Sequence, residues 1–459
     1  MTPDDRLSPW RAEAAATLLL AWPMVLGQIA QMALNLTDVL ILSRISPEAV
    51  AAGALTVNLF NVFMLFGIGV MSATMPMVAR ERGRMRHSVR DVRRTVRNAV
   101  WSAAALALPA WAVLWNAEAV FALLHQDPAL GADAARLMRV LMWSLLPFYV
   151  FVGLRGFVAA LERPMWVLAV GLAAVPFNAF VGWVLTFGHF GMPALGLVGV
   201  GWATTLTNWG TVAAMAIVLV ADRRFRRYRL FSGPWLPDRR RFAEFFRLGV
   251  PIGLMVAFET TIFNAAAFLA GLIGTTTLAA HAITLQIASA AFMFPLGLSQ
   301  AVTVRVGLAY GRRDADGIAR SGWTGLAIVV CVMAAIASVM ALAPTPLIGA
   351  FLDESDPAIA PTFALARSFL MFAAIFQLVD GTQAVTAGML RGRHDTRIPM
   401  FIAAIGYWGV GLPTSILLAF PFGLAGRGIW IGLATGLTVV AVGLVWRWAV
   451  LTSGARRMV

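Results

Sequence analysis

The 459-residue sequence contains no lysine, one cysteine (Cys331) and few charges of either sign; Asp, Glu and Arg make up 13% of it, about half the share in an ordinary soluble domain. So little charge excludes a single soluble globule, and a hydrophobic content of 60% with a mean hydropathy of +0.79 excludes a disordered chain. One cysteine excludes internal disulfides and a Cys-ligated metal site. No P-loop, G-x-S-x-G or H-E-x-x-H pattern occurs, nor a Gly-rich phosphate cradle. The chain is therefore expected to be neither ATPase nor protease, not an enzyme, and to need no cofactor. Without lysine, all 36 basic residues are Arg, as codon usage in a GC-rich bacterial genome would produce. No signal peptide is expected, because Asp4, Asp5, Arg6 and Arg11 precede a long apolar run and no A-x-A cleavage site follows.

What is present is a series of twelve apolar runs, at roughly 14–43, 49–79, 98–122, 138–160, 165–188, 194–221, 246–274, 277–308, 321–350, 363–390, 398–420 and 424–450. A transmembrane helix needs about 20 such residues. The runs are apolar all round, as spans are. Several carry a proline, among them Pro23, Pro109, Pro147, Pro176, Pro251, Pro295 and Pro413, which kinks a span and frees a backbone carbonyl. Trp166, Trp323 and Trp446 stand near span ends, where an interfacial belt would lie. The fold class is an all-α polytopic membrane protein.

Arginine sets the orientation. With the N-terminus taken as cytoplasmic, 31 of the 36 Arg fall on the inner side, chiefly in 80–97, 223–247 and 305–320. Arg44, Arg136, Arg139, Arg367 and Arg427 remain outside. Both termini are then expected in the cytoplasm of a bacterial inner membrane. A net charge of +14 spread over loops and tails argues against a nucleic-acid partner, and an Arg-rich inner face attracts anionic headgroups of the bilayer.

The chain also repeats itself. Pro23 in "AWPMVLGQ" and Pro251 in "GVPIGLMV" are 228 residues apart, as are Thr56 and Thr284, Gly83 and Gly311, and Gly153 and Gly381, each in similar surroundings. Six spans per repeat return the chain to the same side, so the copies share an orientation. Two six-helix lobes related by a pseudo-two-fold axis along the membrane normal are expected, at 1–221 and 246–459, joined by a cytoplasmic Arg-rich linker at 222–245.

Ionisable residues inside spans are costly and mark function. Glu259 follows Arg247 by 12 residues and Asp380 precedes Arg391 by 11, roughly 18 and 16 Å along helices of opposite direction. Both carboxylates are thus expected at similar depth in the second lobe, with no intramembrane Arg of that lobe free to neutralise them. Two acids in one dry pocket repel each other, and a proton or a metal cation relieves the repulsion. In the first span Gln28, Gln31, Asn35 and Asp38 share one helical face, so they should line the interior or a cavity; an ion pair of Asp38 with Arg44 is the alternative. Asn178 could add an oxygen or merely bridge helices. His281 is of the proton-relay type, although packing suits it better. Met71, Met75 and Met77 with Phe292, Met293 and Phe294 could line an adaptable cavity, or simply fill the interior.

These residues together resemble a known family. The first span ending in "NLTDVLILSR", span seven as "FETTIFNAAAFLAG" and span ten as "FQLVDGTQAVTAGMLRGRHDTRIPM" look like the multidrug and toxic compound extrusion (MATE) family, NorM branch. "MFPLGLSQAVTVRVGLAYGRRD" and "VPFNAFVGWVLTFGHFGMPALGLVGVGWAT" fit as well. The resemblance implies a secondary active multidrug antiporter that exports cationic lipophilic compounds in exchange for Na⁺ or H⁺ by alternating access. It implies cation coupling at Glu259 and Asp380, which would be metal ligands if the ion is Na⁺, with Asp38 as a further coupling residue. Candidate substrate-binding residues are Asp38, Asn35, Gln31, Asn178, Phe292 and Gln377. The family carries two Asn in span five; here Asn178 matches the first and Gly182 stands at the second, while Ser43 replaces a first-span Gly. Partners would be small cationic drugs and the lipid bilayer, with the protein a monomer. A flippase for a lipid-linked precursor would want Arg within the first-lobe cavity, and only Arg155 is offered. A major-facilitator transporter needs an Asp-Arg pair missing from "RERGRMR", and an intramembrane protease needs a motif that neither acid has.

Overall fold

The computed structural model describes residues 3–85, 88–232, 235–352 and 359–456, with side chains described between residues 9 and 453. Asp4 and Asp5, and the arginines Arg6, Arg86, Arg456 and Arg457 counted above on the inner side, have side chains outside the described residues. Among the described residues there is no strand. Twelve helices are long and apolar enough to cross a membrane: α1 Pro9–Ser43, α2 Pro47–Gly83, α3 Ser88–Trp115, α4 Pro128–Ala160, α5 Met165–Phe187, α6 Leu197–Ala221, α7 Arg239–Ile273, α8 Thr275–Arg312, α9 Ala315–Leu342, α10 Ala360–Gly392, α11 Arg397–Ala419 and α12 Ala425–Ser453. Each overlaps one of the expected runs, although the runs at 98–122 and 321–350 continue past the ends of α3 and α9. The helices outrun their apolar cores, however: α3 begins ten residues before the run at 98 and α7 seven before the run at 246.

Proline shapes three of them. Pro76 offers no N–H to the carbonyl of Ser72, and α2 breaks at Ser72–Ala73 into Pro47–Met71 and Thr74–Gly83. Pro147 offers no N–H to the carbonyl of Trp143, and Met142–Ser144 tightens to a 3₁₀ turn. Upstream of Pro413, Ile405–Gly411 widens into a π-helical stretch. Pro176, Pro251 and Pro295 are absorbed within continuous helices.

Two compact units divide the chain: Leu26–Gly253, the N-terminal unit, and Met1–Val25 with Leu254–Val459, the C-terminal unit. Their boundaries fall inside α1 and α7 and not in the 222–245 segment. Each repeat's first helix therefore begins in one unit and continues into the other. In the C-terminal unit, Gly428, Gly432 and Gly436 line one edge of α12. A Cβ at these positions would lie 2.5 Å from Ala419 N, 2.4 Å from Ser415 N and 2.6 Å from Gly411 Cα, so α11 and α12 meet backbone to backbone, the small-residue packing of membrane helices.

The beginnings of α1 and α7 are tied down by buried ion pairs. In the C-terminal unit Glu13, 8% exposed, accepts two bonds from Arg305 on α8, from Nε at 2.8 Å and from the guanidinium end at 2.6 Å, and a third from Ser321 Oγ at 2.8 Å. In the N-terminal unit Arg241 on α7 donates to Glu81 on α2, 3% exposed, and to Asp91 Oδ1 at 2.8 Å, while Thr95 Oγ1 donates to Glu81 at 2.9 Å. Glu13 and Arg241 are equivalent positions, 228 residues apart. The first helix of each repeat thus pairs with the second helix of the other, and the two pairs carry their charges in opposite order.

Glu81→Gln would leave Arg241 without its most buried partner. The purified protein is expected to lose about 3 kcal/mol of stability, read as a fall in thermal midpoint in detergent. Glu118→Gln, which cuts the exposed Arg139–Glu118 pair, should leave the midpoint unchanged.

Candidate functional site

The C-terminal unit brings Glu259 and Asp380 together through an aromatic register. Phe263 on α7 and Phe376 on α10 meet edge to face, centroids 5.9 Å apart. Each stands four residues from its carboxylate, and the helices are antiparallel, so one turn away Glu259 faces Asp380. The depth match read from Arg spacing therefore corresponds to a structural juxtaposition. Asp380 is 4% exposed, its Oδ1 has no hydrogen-bond partner, and Glu259 acts on it electrostatically. Glu259 is half-buried, and among the described residues no hydrogen bond or ion pair holds its carboxylate.

Three neighbours went unread in the sequence. Tyr407, in the π-helical stretch of α11, lies within electrostatic range of both carboxylates, and its buried hydroxyl is unpartnered. Gln383, three residues beyond Asp380 on the same helix, also has a buried, unpartnered Oε1. Arg391 corrects an expectation: it does not merely mark the surface. Its side chain is half-buried, donates to Ala387 O and Ser299 Oγ, both at 3.2 Å, and lies in electrostatic range of Glu259. Gly388 lets α10 approach Ser299 closely, a Cβ there lying 2.5 Å from Ser299 Oγ, a cross-helix arrangement that one-dimensional spacing does not reveal.

Gln377 is wholly buried and donates to Ala288 O at 2.6 Å, so it couples α10 to α8 inside the unit. His281 packs against Trp430, centroids 5.4 Å apart, beside Phe369 and Phe376. Phe292 is half-buried.

In the N-terminal unit Asp38 takes part in a three-helix network. It accepts from Asn178 Nδ2 on α5 at 2.7 Å and from Thr204 Oγ1 on α6 at 2.9 Å, and Thr207 Oγ1 donates to Asn178 Oδ1 at 3.0 Å. No ion pair joins Asp38 to Arg44 among the described residues; Arg44 is exposed. Thr204 and Thr207 were missed, although Thr204, Thr207, Asn208 and Thr211 form a polar stripe at helical spacing. Gly182 has a steric reason: a Cβ there would lie 2.6 Å from Ile41 Cδ1, so an Asn would displace Ile41 from beside Val200. Farther along α1, Gln28 accepts from Arg155 at 3.1 Å. Gln31 is half-buried and Asn35 exposed. Met71 and Met77 are fully buried and Met75 nearly so, which makes them filling for the unit's interior.

Known proteins match this architecture throughout its length. The MatE family model matches twice, at residues 23–184 and 251–417, beginning at the two equivalent prolines. A probable multidrug resistance protein NorM of Mesorhizobium japonicum is 54% identical over 439 residues, 96% of this chain and 94% of that protein. One of Brucella suis is 48% identical, over 97% and 94%. The solved outward-facing conformation of a multidrug resistance MATE family transporter shares the fold, with a TM-score of 0.86 at 19% identity, over 97% of both chains. This polytopic membrane protein belongs to the MatE family.

Proposed function

We propose that the protein is a multidrug efflux antiporter that exports cationic lipophilic compounds in exchange for an inward-moving Na⁺ or H⁺. The family and the names of its relatives support efflux of drugs. The coupling rests on one observation: Glu259 and Asp380 face each other in a buried part of a membrane-spanning unit, and neither has an ion-pair partner of its own among the described residues. Two carboxylates cannot both stay charged there without a counter-ion. Arg391, engaged by Ala387 and Ser299, offsets one negative charge at most. A proton or a monovalent cation supplies the other. The unpartnered oxygens of Asp380, Gln383 and Tyr407 suit a hard cation such as Na⁺, and the same carboxylates serve H⁺; no further cofactor is called for.

Coupling then requires only that the cation and the drug prefer different conformations. A cation from outside neutralises the pair and stabilises one packing of the C-terminal unit. A cationic drug favours the packing in which the carboxylates are unneutralised. Asp38, held by two neutral donors, supplies a further negative charge in the N-terminal unit. Asn35 and Gln31 of that unit, and Phe292 of the C-terminal unit, remain candidate drug contacts. The Arg bias assigns the Arg-rich ends to the cytoplasm of a bacterial inner membrane, and nothing in the scheme needs more than a monomer. A lipid-precursor flippase draws on one observation, that Arg155 has only the neutral Gln28 as its partner among the described residues. Two cations, Arg155 and Arg391, against three carboxylates still favour positively charged substrates.

Glu259→Gln and Asp380→Asn, expressed at wild-type level in a drug-sensitive, transporter-deleted host, should each reduce resistance to that of the empty vector. Full resistance in both variants would remove the coupling role. Thr204→Val deletes one donor to Asp38, worth about 1 kcal/mol, and should lower transport about fivefold. Asp38→Asn should lower it further, and an Asp38→Asn variant with full activity would reduce the network to helix packing. An Arg155→Gln variant that keeps full drug efflux fits the antiporter, and one that loses it favours the flippase.

A further inference from the structure

We infer that the N-terminal unit carries a binding pocket for the phosphate-bearing headgroup of an anionic phospholipid, apart from the transport carboxylates. A cavity of about 300 Å³ opens where the end of α2, the turn between α4 and α5, and the residues just after α6 come together. Arg82, Arg163, Arg224 and Arg227 line it. Its floor is aromatic: Phe225 and Tyr228, each 1% exposed, pack on Phe157 with centroids 6.0 and 5.5 Å away.

The nearby acids are already committed. Glu162 pairs with Arg82 at 2.8 Å. Asp222 accepts from Trp166 Nε1 at 3.0 Å and from the Arg224 backbone N–H at 2.9 Å. Arg227 stacks on Tyr228 and donates to its hydroxyl at 2.8 Å, which orients the guanidinium beside the cavity. The guanidinium groups of Arg163 and Arg224 have no ion pair or hydrogen bond among the described residues. The pocket therefore presents two uncommitted guanidinium groups and one oriented one over an apolar floor. Planar guanidinium forks match phosphate oxygens.

A membrane lipid is the source that fits the pocket's margin. Met165 and Trp166, 51% and 40% exposed, stand at the first turn of α5 beside it, and an exposed Trp at a span end is an interfacial anchor. The orientation proposed above puts this end at the inner leaflet, where basic pockets between helices recognise anionic headgroups. A soluble phosphate would have no use for that apolar margin.

Native mass spectrometry of the full-length, delipidated protein in neutral detergent tests this without reference to transport. The wild type should retain one phosphatidylglycerol about tenfold more tightly than phosphatidylcholine. Arg163→Gln/Arg224→Gln/Arg227→Gln should abolish that preference, and Arg224→Gln alone should reduce it. Arg90→Gln/Arg239→Gln/Arg240→Gln, which removes equal charge from exposed positions outside the cavity, should keep it. Excess inorganic phosphate should not displace the lipid. The inference is overturned if the pocket variant keeps the preference, if the control loses it equally, or if inorganic phosphate displaces phosphatidylglycerol, which would make the site one for soluble anions. Monodisperse elution of every variant separates a binding loss from misfolding.

Discussion

A carboxylate inside a membrane helix bundle must be paired, hydrogen-bonded, protonated or joined by a cation, because hydrocarbon offers it nothing else. Five acids of this chain answer that constraint in three ways. Glu13 and Glu81 each have an arginine and a hydroxyl, so their charge is satisfied within the protein. Asp38 has two neutral donors. Glu259 and Asp380 have each other, with Arg391 at a remove. Acids with a dedicated partner hold helices in place; the pair without one is where the proposed function puts an exchangeable cation.

The repeat shows how such a difference arises on one scaffold. Both halves keep a proline-bearing first helix tied to the second or eighth by a buried ion pair, although Glu13 and Arg241 exchange the sign of the charge. Attraction needs opposite signs and is indifferent to which helix carries which. The halves diverge where ligands would act. One builds a single-acid network across α1, α5 and α6, and the other sets two acids face to face across α7 and α10 above a cluster of Phe263, Phe376 and Trp430.

Much of this was legible in the amino-acid sequence, because the membrane makes composition informative. Span number, the repeat and the common depth of Glu259 and Asp380 all follow from one-dimensional spacing along helices of known rise. The rest depends on which side chains meet across helices. Glu13 and Glu81 escaped notice because α1 and α2 extend past their apolar runs, so acids at their polar ends become buried. Tyr407 is aimed by a π-helical stretch that no periodicity announces. Arg391 reaches Ser299 on the facing helix α8, a contact that spacing along α10 alone does not announce. Thr204 and Thr207 were readable as a polar stripe, and only their meeting with Asp38 and Asn178 was not.

The central claim, that cation entry at the Glu259–Asp380 pair drives drug export, is tested most directly by purified protein in proteoliposomes loaded with a fluorescent cationic drug. An imposed Na⁺ gradient and, separately, a pH gradient would be applied with the membrane potential clamped. One of the two is predicted to drive drug movement opposite to the ion, with the ion's counterflow measured in the same vesicles. Drug movement at equal rate with neither gradient, or no ion flux accompanying it, would contradict the account.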